Sequence, residues 1–175
     1  MNALSLFHAL LILAGIVLGI VLISHEMSLL RIASIGLCVI SLICGVYYTA
    51  DGYQKASAFY YKACMIMFML SSILLFIEEF VLNFVNTSAI SIPAILSGIT
   101  AICCYILAFG KDIGKKTSLY IGIAVFVLAL TDILLPLALK QTINLTELFF
   151  YLVFHLNICL FIVAKYWDKA KRNTK

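Results

Sequence analysis

The chain has 175 residues, of which 65% are hydrophobic and only 11% charged, with a formal net charge of +4. A soluble domain is about 45–50% apolar and about 25% charged, so there is too little polar surface here to cover a water-soluble globule, and a hydrocarbon bilayer is the solvent that fits. The modest positive charge needs no nucleic acid to explain it, and no basic soluble face is present to bind one.

Crossing a bilayer as a helix takes about 20 apolar residues, and six such runs follow one another along the chain. The first, Leu4–Ser24, lacks a basic n-region and a small-x-small cleavage site, so it reads as a retained helix rather than a signal peptide. It carries His8 near one end and Gly15-x-x-x-Gly19 further along. The second, Leu29–Ala50, carries Ser34, Cys38, Ser41 and Gly45 at spacings of four, three and four. Such spacing collects small residues on one helix face, where backbones can approach closely in lipid. The third, Phe59–Val85, holds Glu78-Glu79, with Ser72, Glu79, Asn83 and Asn86 forming one polar stripe. Glu78 falls about 100° from that stripe, on the face of Ser71. The fourth is Ile92–Phe109. The fifth, Ser118–Leu139, carries Asp132 four residues before Pro136. Proline removes the amide that would have bonded the Asp132 carbonyl, so a kink and a free backbone acceptor are expected there. The sixth, Glu147–Lys165, repeats Glu147, Tyr151 and His155 every four residues.

The breaks between the runs are short and polar, which leaves no room for a soluble domain. The predicted fold is all-α: residues 1–175 form one transmembrane domain, a bundle of six helices. Ten of the twelve basic residues fall on the side holding the N-terminus, the second and fourth loops and the C-terminal tail, against Arg31 and Lys140 on the other. Positive charge stays cytoplasmic, so both termini are placed inside, in the inner membrane if the source is bacterial. Tyr47, Tyr48, Tyr53, Tyr60, Tyr61, Tyr105, Tyr166 and Trp167 gather at the inner boundary as an anchoring belt. The basic tail, Lys165 to Lys175, is a topology signal to which binding of anionic lipid headgroups can be added. All six cysteines lie in or at the ends of spans, with no C-x-x-C, so no disulfide and no zinc site are expected. Asn86-Thr87-Ser88 and Asn144-Leu145-Thr146 match the glycosylation pattern, but sit so close to the bilayer that turn formation explains them better.

Ionisable residues inside spans are expensive and usually have partners. At about 1.5 Å per residue, Glu78, Asp132 and His155 each lie roughly 10–12 Å below the outer end of their helices. Helices three, five and six therefore place acid, acid and imidazole in one layer of the outer half, while His8 lies near the inner face. This layer is either a buried polar cluster holding helices together or the lining of a cavity that does proton chemistry. In the second case Glu78, Glu79, Asp132 and His155 are the catalytic candidates, since paired carboxylates in a low dielectric suit general acid and base roles. There is no G-x-S-x-G, no H-E-x-x-H and no phosphate-cradling glycine loop. No ligand spacing within one helix supports a metal, and no cofactor is expected.

Phe126-Val-Leu-Ala-Leu-Thr131-Asp132-Ile-Leu-Leu, followed after a loop by Tyr151-Leu-Val-Phe-His155, resembles the final two helices of the lysoplasmalogenase-type (YhhN-type) membrane family. Tyr105-Ile-Leu-Ala-Phe109 is similar to an earlier helix of that family. The resemblance covers about a third of the chain and implies hydrolysis of a vinyl-ether lysolipid or similar substrate, with Asp132 and a helix-three glutamate as acid and base. The family usually has eight spans against six here, a glycine before its second intramembrane aspartate where this chain has Ile77 before Glu78-Glu79, and a Gln-like residue at the place of His155. Three functions stay open at this level: an intramembrane hydrolase acting on a lipid-like substrate, a small proton-coupled transporter, and a non-catalytic scaffold or assembly partner. Six short helices are few for a carrier unless the chain forms a homo-oligomer.

Overall fold

The computed structural model describes residues 3–25, 28–50, 58–87, 92–110, 114–138 and 145–172. Within the helices, the side chains of residues 3–5, 25, 50, 58, 82–87, 115, 132, 133, 135–137, 147 and 164–172 fall outside that description. The described residues form six helices: α1 (Ala3–His25), α2 (Leu29–Ala50), α3 (Ala58–Thr87), α4 (Ile92–Phe109), α5 (Lys115–Ala138) and α6 (Leu145–Arg172). Their ends follow local chemistry. Ser28 precedes α2 and its Oγ accepts from the Arg31 amide at 3.4 Å, a weak N-cap. Pro93 stands in the first turn of α4, where its missing N–H leaves no ladder bond unmade. Gly110 closes α4, its amide donating to the Ile106 carbonyl at 2.8 Å.

Four helices are long and apolar enough to cross a membrane, over Leu6–Ser24, Leu29–Thr49, Phe59–Val81 and Ile92–Phe109. In α5 and α6, where fewer side chains are described, the apolar stretches are shorter, Lys116–Thr131 and Leu148–Val163. The sixth helix runs on to Arg172, past the expected end of its span at Lys165. Helical hydrogen bonding does not stop at an apolar boundary, so the expected basic tail is largely the last turns of α6.

Neighbours in sequence pack against each other around the bundle, and α1 closes it against α6. The sparsest of these contacts is between α4 and α5. One hydrophobic core draws side chains from all six helices, from Ile12 and Leu42 through Phe68 and Cys104 to Val125 and Phe161. Its axis is α6, which is buried on several faces at once: Phe150, Phe154, His155, Asn157, Ile158 and Phe161 are all buried. Phe161 alone meets α1 through His8 (ring centroids 4.4 Å apart), α2 through Tyr48 (5.9 Å) and α3 through Phe68 (6.4 Å). On the outside, Leu6, Leu10, Leu13, Val17 and Ile20 of α1 form an exposed apolar stripe. An apolar face that long is unusual on a soluble monomer and ordinary against acyl chains.

The small residues set the close approaches. A Cβ on Gly15 would lie 2.7 Å from Leu42 Cδ1, and one on Gly19 would lie 2.5 Å from Val39 Cγ2, so both glycines bring α1 against α2. A Cβ on Gly45 would overlap the Phe161 ring. Between α2 and α3 the small faces also exchange hydrogen bonds. Ser34 Oγ donates to the Ser71 carbonyl at 2.9 Å, and Ser71 Oγ donates back to the Ser34 carbonyl at 2.8 Å. Two turns along, Ser41 Oγ donates to the Cys64 carbonyl at 2.9 Å and Cys64 Sγ returns to the Ser41 carbonyl at 3.1 Å. Moving seven residues forward on one helix and seven back on the other keeps the pairing, so α2 and α3 form an antiparallel hairpin in one register.

Candidate functional site

That register decides what happens at the Arg31 end of the hairpin. Continuing past Ser34 and Ser71, α2 brings Arg31 and α3 brings Glu78 and Glu79 to within about one turn of each other. The arginine side chain is long enough to cover the remaining offset of about one turn, roughly 5.4 Å. Arg31 Nη2 donates to Glu79 Oε1 at 2.6 Å, the short distance of a charge-assisted bond. Arg31 Nε lies 3.3 Å from Glu78 Oε2, in ion-pair contact without hydrogen-bond alignment. Adjacent helical residues point about 100° apart, so the two carboxylates straddle the guanidinium rather than both entering the core. Their exposure follows: the Glu78 side chain is 3% exposed, Glu79 15% and Arg31 20%.

His155 is placed by α6 and is buried. Its Nδ1 lies 2.8 Å from the Tyr151 carbonyl, one turn back. A carbonyl only accepts, so Nδ1 carries a proton. The other nitrogen, Nε2, lies 3.2 Å from Thr100 Oγ1 on α4. Thr100 Oγ1 also lies 3.0 Å from the Leu96 carbonyl. The hydroxyl has one proton: it goes to Nε2 when the ring is neutral and to Leu96 when the ring is an imidazolium. Position 155 is thus hydrogen-bonded in either state.

The acid–acid–imidazole layer expected from the sequence divides among helix pairs in the described contacts. Glu78 and Glu79 meet on the α2 arginine, and His155 meets a threonine on α4. The fourth candidate, Asp132, lies on α5 with its side chain outside the described residues, as are those of Pro136 on the same helix, of Glu147 in the His155 stripe on α6, and of Asn83 and Asn86 on α3. His8 is fully buried on α1, edge-on to Phe161 and within interaction reach of the Asn157 side chain.

Three participants escape a reading of the sequence by ionisable residues alone. Arg31 counts there as a topology charge, yet its place two residues inside an apolar run, within about one turn of Glu78-Glu79 in an antiparallel hairpin, was a signal for pairing. Thr100 carries no signal, since a threonine in a span usually bonds its own helix. Asn157 is fully buried on α6, donating from Nδ2 to the Val153 carbonyl at 2.8 Å. Among the described residues, no group of three or more His, Cys, Asp or Glu side chains could hold a metal ion. No family model, no curated protein and no solved structure matches the chain.

Proposed function

We propose that all six helices span the membrane with both termini cytoplasmic, and that the chain is a non-catalytic membrane scaffold whose intramembrane polar groups serve to hold its helices together. The observation that supports this reading is how the described candidates are used. Arg31 engages Glu78 and Glu79 across α2 and α3, and His155 engages Thr100 across α6 and α4. Each contact joins two helices, which is how a bundle in lipid gains stability where hydrophobic burial contributes little. In this reading the bilayer is the main partner.

The test exchanges the charges. Arg31→Glu alone and Glu78→Arg alone are expected to lose folded protein in detergent, and the double exchange is expected to recover it. Recovery of the fold by the exchanged pair is what a latch requires; failure of the exchange, with loss of one specific activity in otherwise folded single variants, sinks the scaffold reading.

One observation favours a second reading, an intramembrane hydrolase acting on a lipid-like substrate. A hydroxyl lies 3.2 Å from one imidazole nitrogen and an orienting carbonyl 2.8 Å from the other, the set of contacts of a nucleophile, its base and the group that holds the base. Here Thr100 would be the nucleophile and His155 the base, with Asp132 and the glutamates handling protons. A fluorophosphonate or β-lactone probe decides between the two: labelling of Thr100 that disappears in His155→Gln, with turnover of a lysolipid, establishes the hydrolase. Absence of both in folded protein leaves the scaffold.

A further inference from the structure

Where α3 begins and α4 stops, the bundle gathers positive charge on an aromatic floor. Lys62 is exposed in the first turns of α3, and its Nζ lies 5.2 Å from the centroid of the Phe109 ring at the end of α4. Tyr105 packs on Phe109 with centroids 5.2 Å apart, and Tyr47 stacks on Tyr60 at 5.5 Å. The same end receives the start of α5. Residues 110–114 connect Phe109 to Lys115, which spans about 20 Å at full stretch, short of the roughly 27 Å length of α4, so α5 must begin beside the end of α4. Lys116 follows, exposed, in its first turn. The sequence adds Lys111 and Lys115 in this stretch, with Asp112 its one acidic residue.

Apolar surface runs away from this charge. Ile102, Tyr105 and Phe109 on α4 and Leu119, Tyr120 and Ile123 on α5 are exposed over the turns next to it. The two helices are also the least closely packed neighbours in the bundle. A cationic end joined to apolar flanks along a loose seam matches one chemistry: a phosphate with acyl chains.

We propose that this corner binds an anionic phospholipid of the cytoplasmic leaflet, with Lys62 and Lys116 on the headgroup phosphate and the acyl chains along the α4–α5 seam. The proposal rests on the six-span reading with both termini inside, and the site is separate from the basic stretch at the end of α6. Lysine beside an aromatic face keeps its ammonium at headgroup level, and a lysine near an anionic surface strengthens binding by several-fold.

The full chain in neutral detergent is titrated with phosphatidylglycerol or phosphatidylcholine, and bound lipid is counted by native mass spectrometry. The expected result is preferential retention of phosphatidylglycerol, weakened about tenfold or more in Lys62→Gln/Lys116→Gln and retained in Lys62→Arg/Lys116→Arg. A control, Lys171→Gln/Arg172→Gln, is expected to leave the preference intact. An unchanged preference in the Gln double variant, or loss in the control instead, overturns the site. On the unaltered protein the preference must also fall as salt is raised, and a preference insensitive to salt overturns it too. A reporter fused after Lys175 reads the topology independently: an outside tail with the lysine-dependent preference intact removes the leaflet assignment and the placement of both termini inside while the site stands, whereas an inside tail without the preference removes the site alone.

Discussion

Arg31 is the residue on which the end of the bundle at the start of α2 turns. It faces one carboxylate that is almost wholly buried and another that is partly open. Removing one partner from a buried ion pair is far more costly than the pair itself is worth, because the remaining charge is left in a poor solvent. Arg31→Ala is therefore expected to destabilise the detergent-solubilised protein by about 3 kcal/mol or more, read as a lowered midpoint of thermal or SDS unfolding. Arg31→Lys should fall between the two, since a point charge cannot fork toward two carboxylates. If Arg31→Ala unfolds at the wild-type midpoint, the ion pair is not holding α2 to α3. Position 155 is held differently, through neutral or charge-assisted hydrogen bonds that rearrange around one threonine proton.

At the scale of elements, the α2–α3 hairpin is the most completely specified unit. Two reciprocal pairs of hydrogen bonds set its register, each worth about 0.6 kcal/mol in a membrane bundle. Tyrosine contacts between residues 47 and 60 and between 48 and 61 close its other end. Its glycines divide by what faces them. Gly45 lies under Phe161, a fully buried ring clamped by His8, Tyr48 and Phe68 that has nowhere to move. Gly36 is on the same helix, and a Cβ added to it would meet nothing within 4 Å. Gly45→Ala is expected to cost about 1–3 kcal/mol by overpacking, whereas Gly36→Ala should be neutral or stabilise by up to about 1 kcal/mol through helix propensity. Equal unfolding midpoints for the two variants would contradict the packing of α6 against α2.

For the molecule as a whole, the central position of α6 connects its parts. It meets α1 and α2 through Phe161, α3 through Phe154 on Phe68, α4 through His155 and α5 through the Cys159 thiol, which donates to the Gly122 carbonyl at 3.6 Å. A helix so placed has to enter the membrane for the others to surround it, which supports counting α6, and α5 beside it, among the spans. The topology follows as a prediction. Reporters placed in the second and fourth loops and after Lys175 should read cytoplasmic, and those in the first, third and fifth loops should read outside. A tail on the opposite side from the second loop would mean an odd number of crossings after it and would end the six-span reading.

Much of this was legible in the chain alone. Apolar runs of membrane length and short polar breaks specify six helices, because helix formation in lipid depends on local content and on satisfying each backbone group within its own segment. Small residues at helical spacing marked the contact faces of α1 and α2, since only a missing side chain lets two backbones come close. The rotation of each helix was not legible. In water a polar face points out and an apolar one in, but α1 is apolar all round, and lipid offers no contrast to turn it. The faces of α3 and α6 were decided by tertiary contacts: a guanidinium on α2 took Glu78 and Glu79, and a threonine on α4 took His155. The sequence by itself determined which segments are helices and which groups are too polar to face lipid; only the tertiary structure decided which of those groups meet, because that depends on register and rotation between helices distant in the chain.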